Sequence, residues 1–170
     1  DHLGNVSSAT VESWADFQSL PLLTESALHE DYAAHEPHGS LYTDAAMLSF
    51  TPLGDDLAPI FDTRADLDHQ ATVHADAFAA AGIEAGDRVL NTFGYHTFGT
   101  GLILHRGLEA LGAEVIPAGP GESEQAAATI ETYEVDALVG NPSFALKIAE
   151  AGGSVDRFIG GGEPFTSVPG

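Results

Sequence analysis

No cysteine occurs among the 170 residues, which excludes disulfides and thiolate zinc sites alike. Basic residues are nearly as scarce: Lys and Arg together number 5 against 26 Asp and Glu, a formal net charge of -21, and Lys147 is the sole lysine. So anionic a chain repels phosphate backbones and acidic headgroups, which argues against nucleic acid as a partner. Long apolar runs are also missing; none approaches the ~20 residues a bilayer span needs, and no basic-then-apolar leader pattern opens the chain. A soluble, unexported, cytoplasmic protein without membrane attachment is therefore expected. The sequence contains no G-x-S-x-G elbow, no H-E-x-x-H and no G-x-x-x-x-G-K loop, and it has no internal repeat.

What is present begins with the distribution of acid. Glu30, Asp31, Asp55, Asp56, Asp66, Asp68, Glu122, Glu124, Glu131 and Glu134 are interspersed rather than gathered into a tail. An acidic surface spread over a globular composition is the look of a halophilic protein, since molar salt shortens the Debye length to ~3 Å and removes self-repulsion. An ordinary acidic domain is the alternative.

A hydrophobic content of 44% supports one core and one compact domain, with an N-terminal arm and helix over residues 1–44 and an α/β subdomain over 45–170. Trp14, Phe17, Leu20, Leu22 and Leu23 suggest an arm laid over the core. Thr24 is suited to N-cap a short helix to about Ala34. Ala45 to Phe50 and Pro59 to Asp62 read as short strands around the turn Pro52-Leu53-Gly54-Asp55. Thr63 and Asp66 form a capping box for a helix with Leu67, Ala71, Ala75 and Phe78 on its apolar face, stopped at Gly82. Strands are then expected at Arg88 to Thr92, Ala113 to Pro117, Ala137 to Val139 and Arg157 to Gly160. Helices are expected at Gly101 to Leu111, Glu124 to Tyr133 and Pro142 to Ala151, the last with Asn141 at its N-cap. The fold class is α/β: right-handed βαβ units in a parallel sheet with helices on both faces, preceded by a helical arm and a short β-hairpin.

In such sheets ligands bind beyond the carboxyl ends of the strands. Phe93 to Gly101, Ala118 to Ser123, Gly140 to Ser143 and Gly160 to Thr166 gather there, and their glycines bring backbone N–H groups close to a ligand. Phe93, Tyr95 and Phe98 stand beside those donors, so an acid with an aromatic or acyl body suits the edge; the alternative is that these rings pack loop against sheet. His96 and His105 flank the same region, either to meet a carboxylate or for packing alone. His29, His35 and His38 with Glu30, Asp31 and Glu36 could hold a metal or be an exposed polar loop. Asn5-Val6-Ser7 matches a glycosylation sequon, with nothing else to suggest export.

Thr63 to Asp66, Gly82 to Arg88, Phe93 to Gly101, Leu108 to Pro117, Asn141 to Leu146 and Gly162-Glu163-Pro164-Phe165-Thr166, in that order, resemble the phenylacetate-CoA ligase family of adenylate-forming enzymes, as does Leu20-Pro21-Leu22-Leu23-Thr24 ahead of them. The likeness runs from about Trp14 to Thr166, in the N-terminal part of the family's large domain. It implies that Phe93, Tyr95, Phe98 and Gly99 border an acid-substrate pocket, and that Gly161, Gly162, Glu163 and Pro164 form the turn where the adenine of a nucleotide lies. It also implies MgATP and coenzyme A as cofactors: the family converts an acid to an acyl adenylate and transfers the acyl group to coenzyme A.

The resemblance fails at the family's Ser-, Thr- and Gly-rich phosphate loop with its lysine. Here that place holds Ser49, Thr51 and Gly54 with Phe50, Pro52 and Leu53 interposed, and Asp55 and Asp56 near where the lysine belongs. Carboxylates repel a triphosphate and proline removes an N–H donor; a magnesium ion on Asp55 and Asp56 is the possible rescue. The sequence stops at Gly170, before the family's C-terminal domain and its catalytic lysine. A truncated ligase-like domain with a degenerate phosphate loop is expected, binding an acid or adenylate without full catalysis, with no catalytic residue or metal ligand assigned. The alternatives are a subunit of a split ligase completed by a partner chain, and a structural module. Self-association through an uncovered sheet edge is a further expectation.

Overall fold

The computed structural model describes residues 11–36, 39–40 and 44–165. In chain order it forms α1 (Trp14–Gln18), α2 (Glu25–Ala34), β1 (Met47–Leu53), β2 (Asp56–Asp62), α3 (Arg64–Ala80), β3 (Arg88–Asn91), α4 (Thr100–Leu111), β4 (Glu114–Pro117), α5 (Ser123–Tyr133), β5 (Ala137–Gly140), α6 (Pro142–Glu150) and β6 (Arg157–Gly160). Asn5-Val6-Ser7, His38 and Thr166 lie outside the described residues.

β4, β3, β5 and β6 pair in that order, all parallel, as the βα alternation predicts. Pleating sends alternate side chains to opposite faces. Leu90 and Leu138 join Ile130 and Ile148 under α5 and α6, while Val89, Ala137 and Val139 join Phe78 and Leu108 under α3 and α4. Both faces are thus covered, which explains why these strands read as continuous apolar runs. A side chain at Gly107 would place its Cβ 2.4 Å from that of His74, so the glycine lets α3 and α4 pack closely.

Local signals set most helix ends. Thr63 accepts from the Asp66 N–H and Asp66 reciprocates to the Thr63 N–H, at 3.2 and 2.8 Å, closing the expected capping box of α3. Thr24 caps α2 as expected, and Gly112 ends α4 in the left-handed conformation.

Two expectations need correction. The strands around Gly54 are longer than predicted: β1 and β2 pair antiparallel without interruption from Met47↔Asp62 to Leu53↔Asp56, with Pro52 inside the ladder and only Gly54 and Asp55 in the turn. Gly54, at φ 59°, takes the first central position, where a two-residue hairpin turn that matches strand twist favours glycine. The two strands form a separate sheet of their own, so both are edges and proline is tolerated there. The arm, within its described part, does not cover the core. Trp14 and Leu22 are 70% and 84% exposed, and Trp14 stacks on Phe17 instead, with centroids 5.1 Å apart.

Candidate functional site

At the carboxyl ends of β3, β5 and β6 lies a cavity of about 560 Å³, within the usual range for small-molecule sites. Phe93, Gly94, His96 and Phe98 form one wall and Gly160, Gly161 and Gly162 the other, with Asn141 and Thr92 between them. The first loop is held by its backbone: Gly101 donates to the Gly94 carbonyl at 3.1 Å, and a Cβ on Gly101 would sit 2.5 Å from that oxygen. Glycine is therefore required for the loop to fold back onto α4. On the opposite wall Gly162 has φ 83°, and a Cβ there would lie 3.0 Å from Asn141 Nδ2 and 3.5 Å from the Phe93 ring.

The residues singled out in the sequence divide. Phe93, Phe98, Gly161 and Gly162 line the cavity, as does His96, whose Nδ1 accepts from the Phe98 N–H at 3.3 Å. Gly99 is the N-cap of α4, at φ 71°, and packs against Ser49. Tyr95 is not among the lining residues; its hydroxyl accepts from Asn91 Nδ2 at 2.8 Å and lies 3.1 Å from His105 Nδ1. His105 in turn sits 3.4 Å from Glu109, away from the cavity.

Glu163 turns out to be a helix cap. Its carboxylate accepts from the Ser143 N–H at the start of α6, and hydrogen bonding from Ser143 holds its pKa below the ordinary glutamate value. Asn141 occupies the N-cap position of α6 but makes no side-chain cap bond. The α6 N-terminus expected to face a ligand is thus already met by an internal anion. The first turn of α4, at Thr100 beside the cavity, has no side-chain cap, and the Gly94 carbonyl takes only its Gly101 N–H.

Sequence reasoning missed Thr92 as a lining residue and placed Asn141 at this edge only as part of the Gly140 to Ser143 loop. Thr92 is 5% exposed and its hydroxyl donates to the Val139 carbonyl at 3.1 Å, tying β3 to β5 at the cavity floor. A Thr following a strand carries no distinct signal in one dimension. Neither Lys nor Arg lines this cavity.

Ser49, Thr51, Gly54, Asp55 and Asp56 fall along the hairpin rather than in an open loop. Ser49 is buried under Gly99, Thr51 is exposed, and Asp55 and Asp56 stand exposed at the tip. Successive N–H groups of an extended strand point to opposite edges and cannot converge on one phosphate as a nest does. Magnesium triphosphate does not fit these residues. Asp56 has His29 Nδ1 at 3.8 Å, and among the described residues no three His, Asp or Glu side chains converge as a metal site.

No family model matches the chain. Phenylacetate-coenzyme A ligase of Escherichia coli K12 is 35% identical over 99 residues, 58% of this chain. The chain resembles the phenylacetate-coenzyme A ligases. The enzyme of that name from Thermus thermophilus is 39% identical over 88 residues. The chain spans only 22% and 20% of the length of these two phenylacetate-coenzyme A ligases. A solved open conformation of 2-hydroxyisobutyryl-CoA ligase, in complex with 2-HIB-AMP and CoA, superposes with a TM-score of 0.83 at 25% identity. That match covers 97% of this chain and 42% of the solved one.

Proposed function

We propose that this chain carries the acid-recognition part of a phenylacetate-CoA-ligase-like fold and binds a carboxylic acid with an aromatic or acyl body, or its adenylate, without itself activating it. The cavity between Phe93 and Gly162 carries the reading. Its apolar walls take the body of the acid. The Thr100 hydroxyl, the Asn141 amide and the remaining N–H groups at the start of α4 are the polar groups at hand for its carboxylate. Gly161 and Gly162 leave room for a flat ring beside Phe93. Adenylate formation needs donors converging on a transferring phosphate, and the zipped hairpin with Asp55 and Asp56 at its tip opposes that chemistry.

The test is calorimetry in molar potassium chloride with phenylacetate, AMP, ATP and coenzyme A. Phenylacetate is expected to bind, and Gly162→Ala to weaken it about tenfold, because the added Cβ crowds Asn141 Nδ2 and the Phe93 ring and narrows the cavity. Absence of any response to acid or AMP would sink the binding claim. Acid-dependent pyrophosphate exchange, alone or with a second polypeptide, would overturn the non-catalytic part and favour a split ligase.

A further inference from the structure

A second cavity, of about 600 Å³, lies between the hairpin and the α3–α4 pair. It adjoins the acid cavity, sharing Phe98, Thr100 and Leu104 with it, but its polar floor is of a different kind. Asp62, at the end of β2, is 5% exposed, and its Oδ1 accepts from Gln70 Nε2 at 2.7 Å. That bond orients the amide, leaving Gln70 Oε1 and Asp62 Oδ2 both without a hydrogen-bond partner. Native structures seldom bury acceptors unsatisfied, least of all an oxygen of a carboxylate. His74 is the remaining titratable group on the lining; its Nδ1 is 2.7 Å from the Gln70 carbonyl, so the ring turns its hydrogen bond to the backbone of its own helix.

Each plausible occupant can be weighed by what the orphan oxygens require. Both are acceptors, so the missing group is a donor. An acid is repelled by Asp62, and no Lys or Arg lines the cavity to offset it. A bare divalent cation lacks a third converging ligand among the described residues and leaves most of the volume unfilled. Phe50, Ile60, Phe98, Ile103 and Leu104 supply apolar walls above the floor. A donor-bearing cation on a hydrophobic body matches floor and walls together, its charge meeting the Asp62 carboxylate.

We propose that this cavity is a binding site for a small hydrophobic primary amine, taken as the ammonium, with Asp62 and Gln70 receiving its N–H groups. The site is distinct from the acid cavity and does not depend on the function proposed for it.

Titration calorimetry with benzylamine and its neutral analogue benzyl alcohol tests this, using the whole chain in molar potassium chloride. Benzylammonium is expected to bind at least about tenfold more tightly than the alcohol, the margin of one charge-assisted hydrogen bond. Asp62→Asn keeps the shape and is expected to erase that margin while leaving the alcohol unchanged. Thr51→Trp, on an exposed strand position that tolerates aromatics, is expected to fill the cavity and abolish amine binding while the far-ultraviolet circular dichroism stays that of the parent. Equal affinity for amine and alcohol, a margin that survives Asp62→Asn, or amine binding that survives Thr51→Trp each overturns the proposal. So does failure of benzylamine to bind folded protein. If Asp62→Asn does not fold by circular dichroism, the Thr51→Trp result decides.

Discussion

Tyr95 stands between Phe93 and Phe98 in sequence, yet its side chain does a different task. The hydroxyl bridges Asn91, which is fully buried, and His105, fastening the start of the loop to α4. Burial pushes its pKa up to about 12, so the folded protein keeps the phenol neutral where the unfolded chain ionises near pH 10. Between these values the native state binds more protons than the unfolded state, so stability is fully present below about pH 10 and declines as pH rises through about 12. Tyr95→Phe removes that titration. Chemical denaturation at stepped alkaline pH should show a shallower decline for the variant than for the parent, and parallel declines would contradict the burial account. Nothing in the pattern Phe-Gly-Tyr-His-Thr-Phe distinguishes this ring from its neighbours, because the distinction rests on His105, ten positions on.

Elements whose ends are set by near neighbours were legible in advance. Thr63 and Asp66 are three residues apart, and their reciprocal bonds start α3 where the capping box predicts. Hydrogen bonds from Thr63 lower the Asp66 pKa, so this contribution is present above the ordinary aspartate value near pH 4 and is lost as pH falls through the lower folded value. Thr63→Ala should cost about 1 kcal/mol in urea denaturation at neutral pH, with the deficit shrinking in acid. A deficit independent of pH would separate the cap from the carboxylate. The hairpin was less legible, since Pro52 and the paired acids read as an interruption. Edge strands accept proline, and the ladder closes because the two-residue turn at Gly54 sets the register. That closure removes the open loop on which a phosphate reading depends. Likewise the α6 cap comes from Glu163, far along the chain, so Asn141 could be placed at the N-cap position but its lack of a cap bond could not be foreseen.

For the whole molecule the dominant quantity is charge. Arg88, Arg106 and Arg157 are engaged by Glu114, Asp68 and Asp87, at 2.8, 3.2 and 3.0 Å. Against 26 acidic residues these pairs leave a large excess of carboxylates. At 0.01 M salt the Debye length is about 30 Å, so such charges repel across the domain; at 1 M it is about 3 Å. The thermal midpoint should therefore rise steadily from millimolar to molar potassium chloride, followed by circular dichroism. A midpoint that does not move would count against the halophilic reading. No helix among the described residues is long and apolar enough to cross a membrane.

The amino-acid sequence by itself determined the order of strands and helices, the caps at Thr24 and Thr63, the glycine stop at Gly82 and the gathering of glycine-bearing loops on one edge of a parallel sheet. These depend on periodicity and on contacts within a few residues, which a linear pattern records. The tertiary structure alone decided that Phe93 faces the cavity while Tyr95 does not, that Glu163 meets the start of α6, and that Asp62 lies buried with one oxygen unpartnered. Each of these rests on groups brought together from distant parts of the chain, where burial and hydrogen bonding, not local propensity, set the outcome.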